Sequence, residues 1–331
     1  MIQPIRWGIL ATGGIARKVT ADMIAEGLTV RAVGSRSLDS ARSFAAQFGI
    51  ARAHGSYEEL VNDPEVDAVY ITTPHTLHYG NARLALRAGK HVLIEKPVTV
   101  NAAQLAELIA LASERRLLLL EAMWTRFLPH MIRLREIVNS GVLGEIRALE
   151  AKHMQRLPSD SLHRLNNLEL GGGALLDLGV YPISFAHDIL GEPDSIAASA
   201  SFKATGADSQ VATVLSYSGG AIATSLSSSE VAAPNTATVV GTRGWVVIDE
   251  VWYTPTSFRV YDLENRMIDS YESAPGSVVG SGHGLQAVEA SRLIAAGRIE
   301  SELISPQDSL SVMRTLDSIR EQIGLVYPGE A

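Results

Sequence analysis

The stretch Gly8–Lys18, with the sequence GILATGGIARK, decides the fold of this chain. It overlaps Ile5–Leu10, a mostly apolar segment typical of a buried strand, and leads into Ile15–Glu26, which has helical spacing. A glycine turn between a first strand and a first helix places free backbone N–H groups and the positive helix end where a pyrophosphate can bind. The stretch therefore predicts a dinucleotide-binding βα unit.

The loop departs from the usual G-x-G-x-x-G fingerprint in its first glycine. Ala11 takes that place, and Ala16 takes the place of the third glycine, a change that the fingerprint permits. Taken alone, the loop has a second interpretation as a structural turn without a ligand. The residues predicted to hold a cofactor in it are Ala11, Thr12, Gly13, Gly14 and Ile15.

The end of the second predicted strand, Leu28–Val33, indicates which dinucleotide is bound. An NAD site carries Asp or Glu about 20 residues beyond the glycines, where it accepts hydrogen bonds from the ribose hydroxyl. Ser35 and Arg36 occupy that region here. Arg36 can pair with a 2′-phosphate, which a carboxylate would repel, and Ser35 adds a hydrogen-bond donor. This pair favours NADP, with NAD as the second choice; the alternative is a helix cap at Ser35 and a solvated Arg36.

The order of elements along the chain predicts two domains. Through residue 122, apolar runs alternate with helical segments, which predicts a doubly wound parallel sheet of the Rossmann type in an α/β domain. After two helices near 130–140 and 174–190, strands joined by glycine turns dominate. These predict an α+β domain over 123–331 with a mostly antiparallel or mixed sheet. The last helix, about 306–324, is a candidate for packing back on the first domain.

Composition excludes several classes of function. The 331 residues are 46% hydrophobic, carry a formal net charge of −8 and include no cysteine. Thiolate chemistry and disulfides are therefore excluded, and no basic cluster suits nucleic acid. No apolar run approaches the roughly 18 residues of a membrane span, and the first residues lack the pattern of a leader. We expect a soluble, cytoplasmic protein without nucleic-acid or membrane partners, and no metal site, since the histidines lack ligand spacing.

Two further strand ends carry residues suited to chemistry. Ligands in open parallel sheets bind outside the carboxyl ends of the strands. Lys96 follows the predicted strand His91–Ile94, so it should face the cleft, and Pro97 restricts its backbone to an extended conformation. The residues predicted to contact the cofactor at these ends are Thr72, Thr73, Pro74, His78, Glu95 and Lys96.

Three motifs together resemble the Gfo/Idh/MocA oxidoreductase family. They are the glycine loop, Glu95–Pro97, and Gly171–Tyr181 (GGGALLDLGVY), whose end matches the family pattern D-x-G-x-His/Tyr. Glu121–Pro129 (EAMWTRFLP) is similar, more narrowly, to the branch of dimeric dihydrodiol dehydrogenases and NADP-dependent D-xylose dehydrogenases. The resemblance covers almost the whole chain. It implies a large open sheet in the second domain, whose outer face forms a homodimer or a higher homo-oligomer.

The resemblance also implies roles for individual residues. Lys96, Asp177 and Tyr181 would be catalytic, while Trp124 and Arg126 would line the cofactor and substrate cleft. A tyrosine has a pKa near 10, and a nearby ammonium lowers it, which assigns proton transfer to Tyr181 and the electrostatic role to Lys96. Proton transfer by Lys96 itself stays open. The residues expected to contact substrate are Trp124, Phe127, Asp177, Tyr181, Trp252 and His283.

The predicted function is an NADP-dependent oxidoreductase that transfers a hydride between a sugar or cyclic diol carbon and the nicotinamide. Two alternatives stay open. A redox-neutral family member would keep its nicotinamide tightly bound and use transient oxidation to drive elimination, hydrolysis or internal transfer. A dinucleotide-sensing protein would have kept the fold without turnover.

Overall fold

Strands and helices alternate in the first part of the chain. The computed structural model describes residues 4–328 and 330. The elements are β1 Arg6–Leu10, α1 Gly14–Ala25, β2 Thr29–Gly34, α2 Leu38–Phe48, β3 Arg52–His54, α3 Tyr57–Val61, β4 Ala68–Ile71, α4 His78–Arg87, β5 His91–Glu95, α5 Ala102–Arg115 and β6 Leu119–Ala122. A short 3₁₀ turn, Trp124–Phe127, follows.

These six strands form one parallel sheet in the order β3-β2-β1-β4-β5-β6. This is the doubly wound order of dinucleotide-binding folds, which reverses between β1 and β4. Leu10 at the end of β1 is level with Gly34 of β2 and Ile71 of β4, so the loops that follow leave the sheet at the same edge. The predicted Rossmann sheet is confirmed.

Side-chain caps explain where several of these helices begin. Ser37 accepts a hydrogen bond from the backbone N–H of Ser40 and caps α2, and Asn101 does the same for α5 through the N–H of Gln104. Such caps satisfy backbone donors that have no partner inside the helix. Gly49 ends α2 with a positive φ of 68°, which a glycine adopts without strain.

A second, larger sheet occupies the following part of the chain. Its elements are α6 Pro129–Asn139, β7 Ile146–Met154, a π-helical turn Leu175–Gly179, α7 Val180–Leu190, β8 Ser195–Phe202, β9 Asp208–Ser216, β10 Ile222–Ser228, β11 Ala237–Gly241, β12 Gly244–Ile248, β13 Phe258–Asp262 and β14 Met267–Tyr271. The strand order is β14-β13-β12-β11-β7-β10-β9-β8. Within the described part of this second sheet, only β7 and β10 pair in parallel, and the other neighbours are antiparallel. The predicted mostly antiparallel sheet is confirmed, although β3, β7, β13 and β14 were not predicted as strands.

The two faces of the larger sheet differ because successive side chains of a strand point to opposite sides. One face is apolar and buried, and α7 packs on it against β7 and β10. Residues of the opposite face alternate with the buried ones and remain exposed, among them Val214, Ile222 and Val240. Trp245 and Tyr261 are paired across β12 and β13 and stack on each other.

Two helices close the chain, α8 Gly284–Ala295 and α9 Pro306–Ile323. The chain up to Trp124 forms one compact unit with Val278–Leu310, and Thr125–Ser277 forms another with the residues from Ser311 onward. They are called the first and second unit below. The boundary near residue 122 and the packing of the last helix on the first domain stay predictions. Within 4–328 and 330, no helix is both long and apolar enough to cross a membrane.

Candidate active site

The glycine loop joins β1 to α1 with open space at the start of the helix. Ala11 has a φ of 86° and donates its N–H to the carbonyl oxygen of Gly34 at 2.9 Å. Gly13 is the N-cap residue of α1, and within the described part of the chain no side chain caps this helix. A Cβ added at Gly13 or Gly14 would meet no described atom within 4 Å. Uncapped N–H groups facing open space suit the oxygens of a pyrophosphate.

The end of β2 places Ser35 and Arg36 beside the glycine loop. Ser35 is buried, and its N–H donates to the carbonyl oxygen of His54 at 3.2 Å. The cap of α2 is Ser37, so the structure gives that role to a different serine. Burial raises the pKa of the Tyr57 phenol, and the charge of Arg36 and its hydrogen bond to this phenol oppose that rise. Arg36 is therefore an exposed cation held at this strand end.

His78 ties the loop after β4 to the loop after β5. Its Nε2 lies 2.8 Å from the carbonyl oxygen of Thr73, and its Nδ1 lies 2.8 Å from that of Pro97. The ring is fully buried. Thr72 donates its hydroxyl to the carbonyl oxygen of Leu10 at 2.8 Å. The predicted residues Thr72, Thr73, Pro74, His78, Glu95 and Lys96 thus lie together at the carboxyl edge of the sheet.

Two buried carboxylates hold the segment that carries Lys96. Glu95 accepts a hydrogen bond from the phenol of Tyr70. Glu121, at the end of β6, accepts from the N–H of Val98 at 3.3 Å and from the hydroxyl of Ser309 at 2.6 Å. Tyr70 and Ser309 were not predicted from the sequence, and Glu121 was recognised only as the first residue of the motif Glu121–Pro129, without a role. A glutamate within the otherwise apolar strand β6 was the available signal, because a buried carboxylate needs donors.

Trp124 and His283 form a stacked pair in the first unit. Their ring centroids are 3.8 Å apart, with planes tilted by 16°. The Nζ of Lys18 lies 6.0 Å from the centroid of Trp124. Burial lowers the pKa of His283 to about 3, and the charges of Lys18 and Lys96 add to that effect. His283 is therefore neutral at pH 7, and the positive charges of the two lysines both disfavour its protonation.

Asp22 of α1 determines where His283 lies. Its Oδ2 accepts from the N–H of Ser281 at 3.0 Å, from the hydroxyl of Ser281 at 2.7 Å and from the N–H of His283 at 3.1 Å. Gly280 has a φ of 58°, and a Cβ there would come within 2.0 Å of the Asp22 carboxylate. Lys18, Asp22 and Ser281 were not predicted as site residues, since none of them occupies a position of the glycine fingerprint.

In the second unit, Asp177 lies within the π-helical turn Leu175–Gly179, and Tyr181 lies in the first turn of α7. Arg164 approaches Asp177 with 3.8 Å between Nη2 and Oδ1. The buried carboxylate of Asp208 accepts the N–H of Leu175 at 2.6 Å. The motif therefore forms a defined turn that Asp208 anchors.

Tyr181 is part of an aromatic cluster that the sequence did not reveal. The ring of His153 is edge-on to Tyr181 at 4.7 Å and stacks on Tyr253 at 3.9 Å. Tyr181 and Tyr253 have ring centroids 5.5 Å apart. Gln155 and Asn235 donate hydrogen bonds to the Tyr253 phenol. We call Tyr181, His153 and Tyr253 the Tyr181 cluster.

The remaining predicted residues of the second unit are buried. Arg126 pairs with Asp188 at 2.8 Å and donates to the hydroxyl and the carbonyl oxygen of Ser184, so it binds α7. Phe127 is buried, and Trp252 has no exposed surface. The indole N–H of Trp252 donates to the carbonyl oxygen of Lys152. Contacts of Arg126 with cofactor, and of Phe127 and Trp252 with substrate, stay predictions.

Among the described residues, no group of three or more His, Asp or Glu is placed to hold a metal ion.

Residues 5–122 match the model of an oxidoreductase family with an NAD-binding Rossmann fold, and residues 131–247 match that of the GFO/IDH/MocA C-terminal domain. The chain belongs to the Gfo/Idh/MocA family. The predicted family and the predicted class, an oxidoreductase with a nicotinamide-binding Rossmann domain, are confirmed.

Gfo/Idh/MocA relatives align over nearly the full chain. Trans-1,2-dihydrobenzene-1,2-diol dehydrogenase of Xenopus laevis is 33% identical over 329 residues, which cover 98% of this chain and 99% of the relative. D-xylose 1-dehydrogenase (NADP(+)) of Hypocrea jecorina is 33% identical, with 98% and 93% covered. A crystal structure of a 3-ketoreductase from Actinomadura kijaniata in complex with NADP and TDP-benzene has a TM-score of 0.85 at 29% identity, with 97% and 98% covered.

Proposed function

We propose that this protein is an NADP-dependent dehydrogenase that transfers a hydride from a CH–OH carbon of a sugar or cyclic diol to the nicotinamide. The observation that carries the proposal is the carboxyl edge of the first sheet. There the N-terminus of α1, which no described side chain caps, faces space free of described atoms, and Lys96 lies in a segment held by Glu95 and Glu121. Relatives named for a diol and for D-xylose support the substrate class.

The residues at this edge fit the cofactor in chemistry and in space. The N–H groups around Gly13 and Gly14 suit the pyrophosphate, since side chains leave that space open. The guanidinium of Arg36 suits a 2′-phosphate, and no carboxylate takes its place at the end of β2. When bound, NADP supplies the hydride acceptor. Ala11, Thr12, Ile15, Ser35, Thr72, Thr73 and Trp124 are the further residues that we assign to the cofactor.

The remaining chemistry is proton transfer by the chain's own side chains. Tyr181 takes the proton of the substrate hydroxyl, Lys96 supplies the positive charge that favours the ionised phenol, and Asp177 orients the lysine or a substrate hydroxyl. The anchor of Asp208 on the turn before α7 supports such precise roles, because it fixes the backbone that carries Asp177 and Tyr181. The second possibility is proton transfer by Lys96. In that case Tyr181→Phe would leave activity intact, whereas Lys96→Met would abolish it.

A panel of aldoses, inositols and trans-diols tests the activity through the absorbance of reduced nicotinamide. We expect the wild type to reduce added NADP in proportion to substrate, and Lys96→Met to lower kcat by about 100-fold or more. Lys90→Met is the matched control. Lys90 stands at the other end of β5 and donates to the carbonyl oxygens of Asp63 and Val66, so its loss should lower stability and leave kcat unchanged.

Other outcomes would assign a different function or a different proton-transfer residue. Nicotinamide that copurifies and exchanges no hydride with added NADP would indicate the redox-neutral type. Tight NADP binding without turnover, unchanged by Lys96→Met, would indicate a dinucleotide sensor. Activity that survives Tyr181→Phe and is lost with Lys96→Met would assign the proton transfer to the lysine.

The preference for NADP is tested at Arg36. A charge-assisted hydrogen bond contributes about 1.5–3 kcal/mol, so Arg36→Leu should weaken NADP binding by about 10- to 150-fold and leave NAD binding nearly unchanged. Arg42→Leu, an exposed arginine on α2, is the matched control and should change neither. Equal use of NAD and NADP by the wild type would contradict the role of Arg36.

We also propose that two copies associate through the outer face of the larger sheet. Exposed Val214, Ile222 and Val240 and the stacked Trp245 and Tyr261 give this face an apolar character that water does not favour. Sedimentation equilibrium should show a dimer, and Ile222→Lys should shift it towards monomer. A monomeric wild type would refute this proposal. A cytoplasmic location remains a separate proposal.

A further inference from the structure

Tyr253 is a second phenol beside Tyr181, in the loop between β12 and β13. Its side chain is nearly buried, with 7% of its surface exposed. The backbone around it is held as well, since Thr125 donates its hydroxyl to the Tyr253 carbonyl oxygen at 3.0 Å. The neighbouring groups determine the directions of the hydrogen bonds at its phenol oxygen.

Asn235 donates to this oxygen, and its orientation is unambiguous. Its Oδ1 accepts the N–H of Met154 at 2.7 Å, and its Nδ2 donates to the carbonyl oxygen of Met154 at 3.1 Å. Reversing the amide would oppose two acceptors and two donors, so the atoms can be placed in one way. The second proton of Nδ2 is directed to Oη of Tyr253 at 3.3 Å.

Gln155 donates to the same oxygen. His153 lies with Nδ1 at 3.2 Å from the carbonyl oxygen of Leu178, so Nδ1 is the donor, because a carbonyl can only accept. The amide nitrogen of Gln155 only donates, so Nε2 of His153, which lies 2.8 Å from it, is its acceptor. That amide nitrogen also donates to Oη of Tyr253 at 3.1 Å.

A phenol oxygen accepts two hydrogen bonds and donates one. With Asn235 and Gln155 on the acceptor side, the remaining capacity of Tyr253 is to donate its proton. We propose that Tyr253 donates this proton to a second oxygen of the substrate, next to the hydroxyl that Tyr181 deprotonates. This inference rests on the proposed function and makes Tyr253 the residue that selects substrates with neighbouring oxygens.

The chemistry of the surroundings agrees with a donor. Burial raises the pKa of Tyr253, so the phenol stays protonated at neutral pH. The donated bond requires no proton transfer, so Tyr253 orients the substrate and leaves the redox step to other groups. The substrate class that follows is a polyol or vicinal diol, in preference to a simple alcohol.

The test compares a diol substrate with its analogue lacking the neighbouring hydroxyl. Suitable pairs are D-glucose with 2-deoxy-D-glucose, and trans-cyclohexane-1,2-diol with cyclohexanol. A neutral hydrogen bond corresponds to about a 2- to 13-fold change. Tyr253→Phe should lower kcat/KM by that factor for the diol, leave the analogue unchanged and leave the Kd of NADP unchanged.

Two further variants separate donation from packing. Gln155→Glu keeps the phenol and replaces a donor with an acceptor, so Tyr253 would donate to the new carboxylate and the same selectivity should be lost. Tyr217→Phe is the matched control, because it removes a buried hydroxyl that has no hydrogen-bond partner among the described residues. It should leave the ratio of the two kcat/KM values unchanged.

The outcomes distinguish this inference from the function beneath it. Turnover of the diol and its analogue with a ratio that Tyr253→Phe and Gln155→Glu leave unchanged would overturn the inference alone. An equal loss for both members of a pair would also overturn it, because it indicates a packing role. Absence of turnover by the wild type with every substrate of the panel would overturn the proposed function, and this inference with it.

Discussion

The buried carboxyl of Asp208 should make the free energy of unfolding depend on pH, because burial raises the pKa of this group to about 6. The side chain is fully buried, and its Oδ2 accepts the N–H of Leu175 at 2.6 Å. In an unfolded chain the pKa of an aspartate is about 4. The folded protein therefore holds this proton more tightly by about two pKa units, or roughly 3 kcal/mol.

The direction in which stability changes with pH depends on which state, folded or unfolded, releases the proton at the lower pH. Between about pH 4 and pH 6 the unfolded chain loses a proton that the folded protein keeps, so rising pH lowers the free energy of unfolding. Above the folded pKa the loss is complete. Asparagine has no such titration, so Asp208→Asn removes the effect. The free energy of unfolding of Asp208→Asn, relative to wild type, should increase by about 2 kcal/mol between pH 4.5 and pH 7.5.

Urea unfolding at these two pH values, followed by circular dichroism and tryptophan fluorescence, measures this difference. Tyr327→Phe is the matched control. Tyr327 lies in the same buried region, and burial raises the pKa of its phenol well above the usual value, so it does not titrate in this range. A difference between Asp208→Asn and wild type that is equal at both pH values would refute the reasoning.

Three further changes test other parts of the structure through the free energy of unfolding. Gly173→Ala should cost about 3 kcal/mol, because its Cβ would come within 2.0 Å of Asp208 Oδ1, whereas Gly27→Ala, with a positive φ and open space, should cost only about 1 kcal/mol; equal costs would contradict the clash. Ala11→Gly should stabilise by about 0.5–1 kcal/mol, since it relieves a φ of 86°, and a loss of stability would show that no strain exists. Arg126→Met should cost about 3 kcal/mol, because it leaves the buried Asp188 with Arg135 as its remaining ion-pair partner among the described residues; a cost below about 1 kcal/mol would show that this pair is dispensable.

The sequence predicted the first sheet well because the rule behind it is local. The strands β1, β4 and β5 are almost wholly buried and appear as short, mostly apolar segments, and helices often have their own cap, as at Asn101. The exception is β3, a half-buried strand with the sequence RAH, which carries no such signal. The larger sheet was predicted only in part. β7 carries Arg147, Glu150 and Lys152, so its hydrophobic signal is weak. It also pairs with β10 and β11, which lie far along the chain.

By itself, the sequence determined the family, the doubly wound Rossmann class of the first sheet, the motif residues Lys96, Asp177 and Tyr181, and the cation Arg36 at the end of β2. These depend on short stretches whose spacing carries the chemistry. Tertiary structure alone decided the partners of those residues: Glu121 beside the Lys96 segment, Asp208 under the turn before α7, and Tyr253 beside Tyr181. Glu121 belongs to a recognisable motif, but its contacts with Val98 and Ser309, like the positions of Asp208 and Tyr253, join distant parts of the chain. No local pattern reveals such contacts, because folding determines which distant atoms meet.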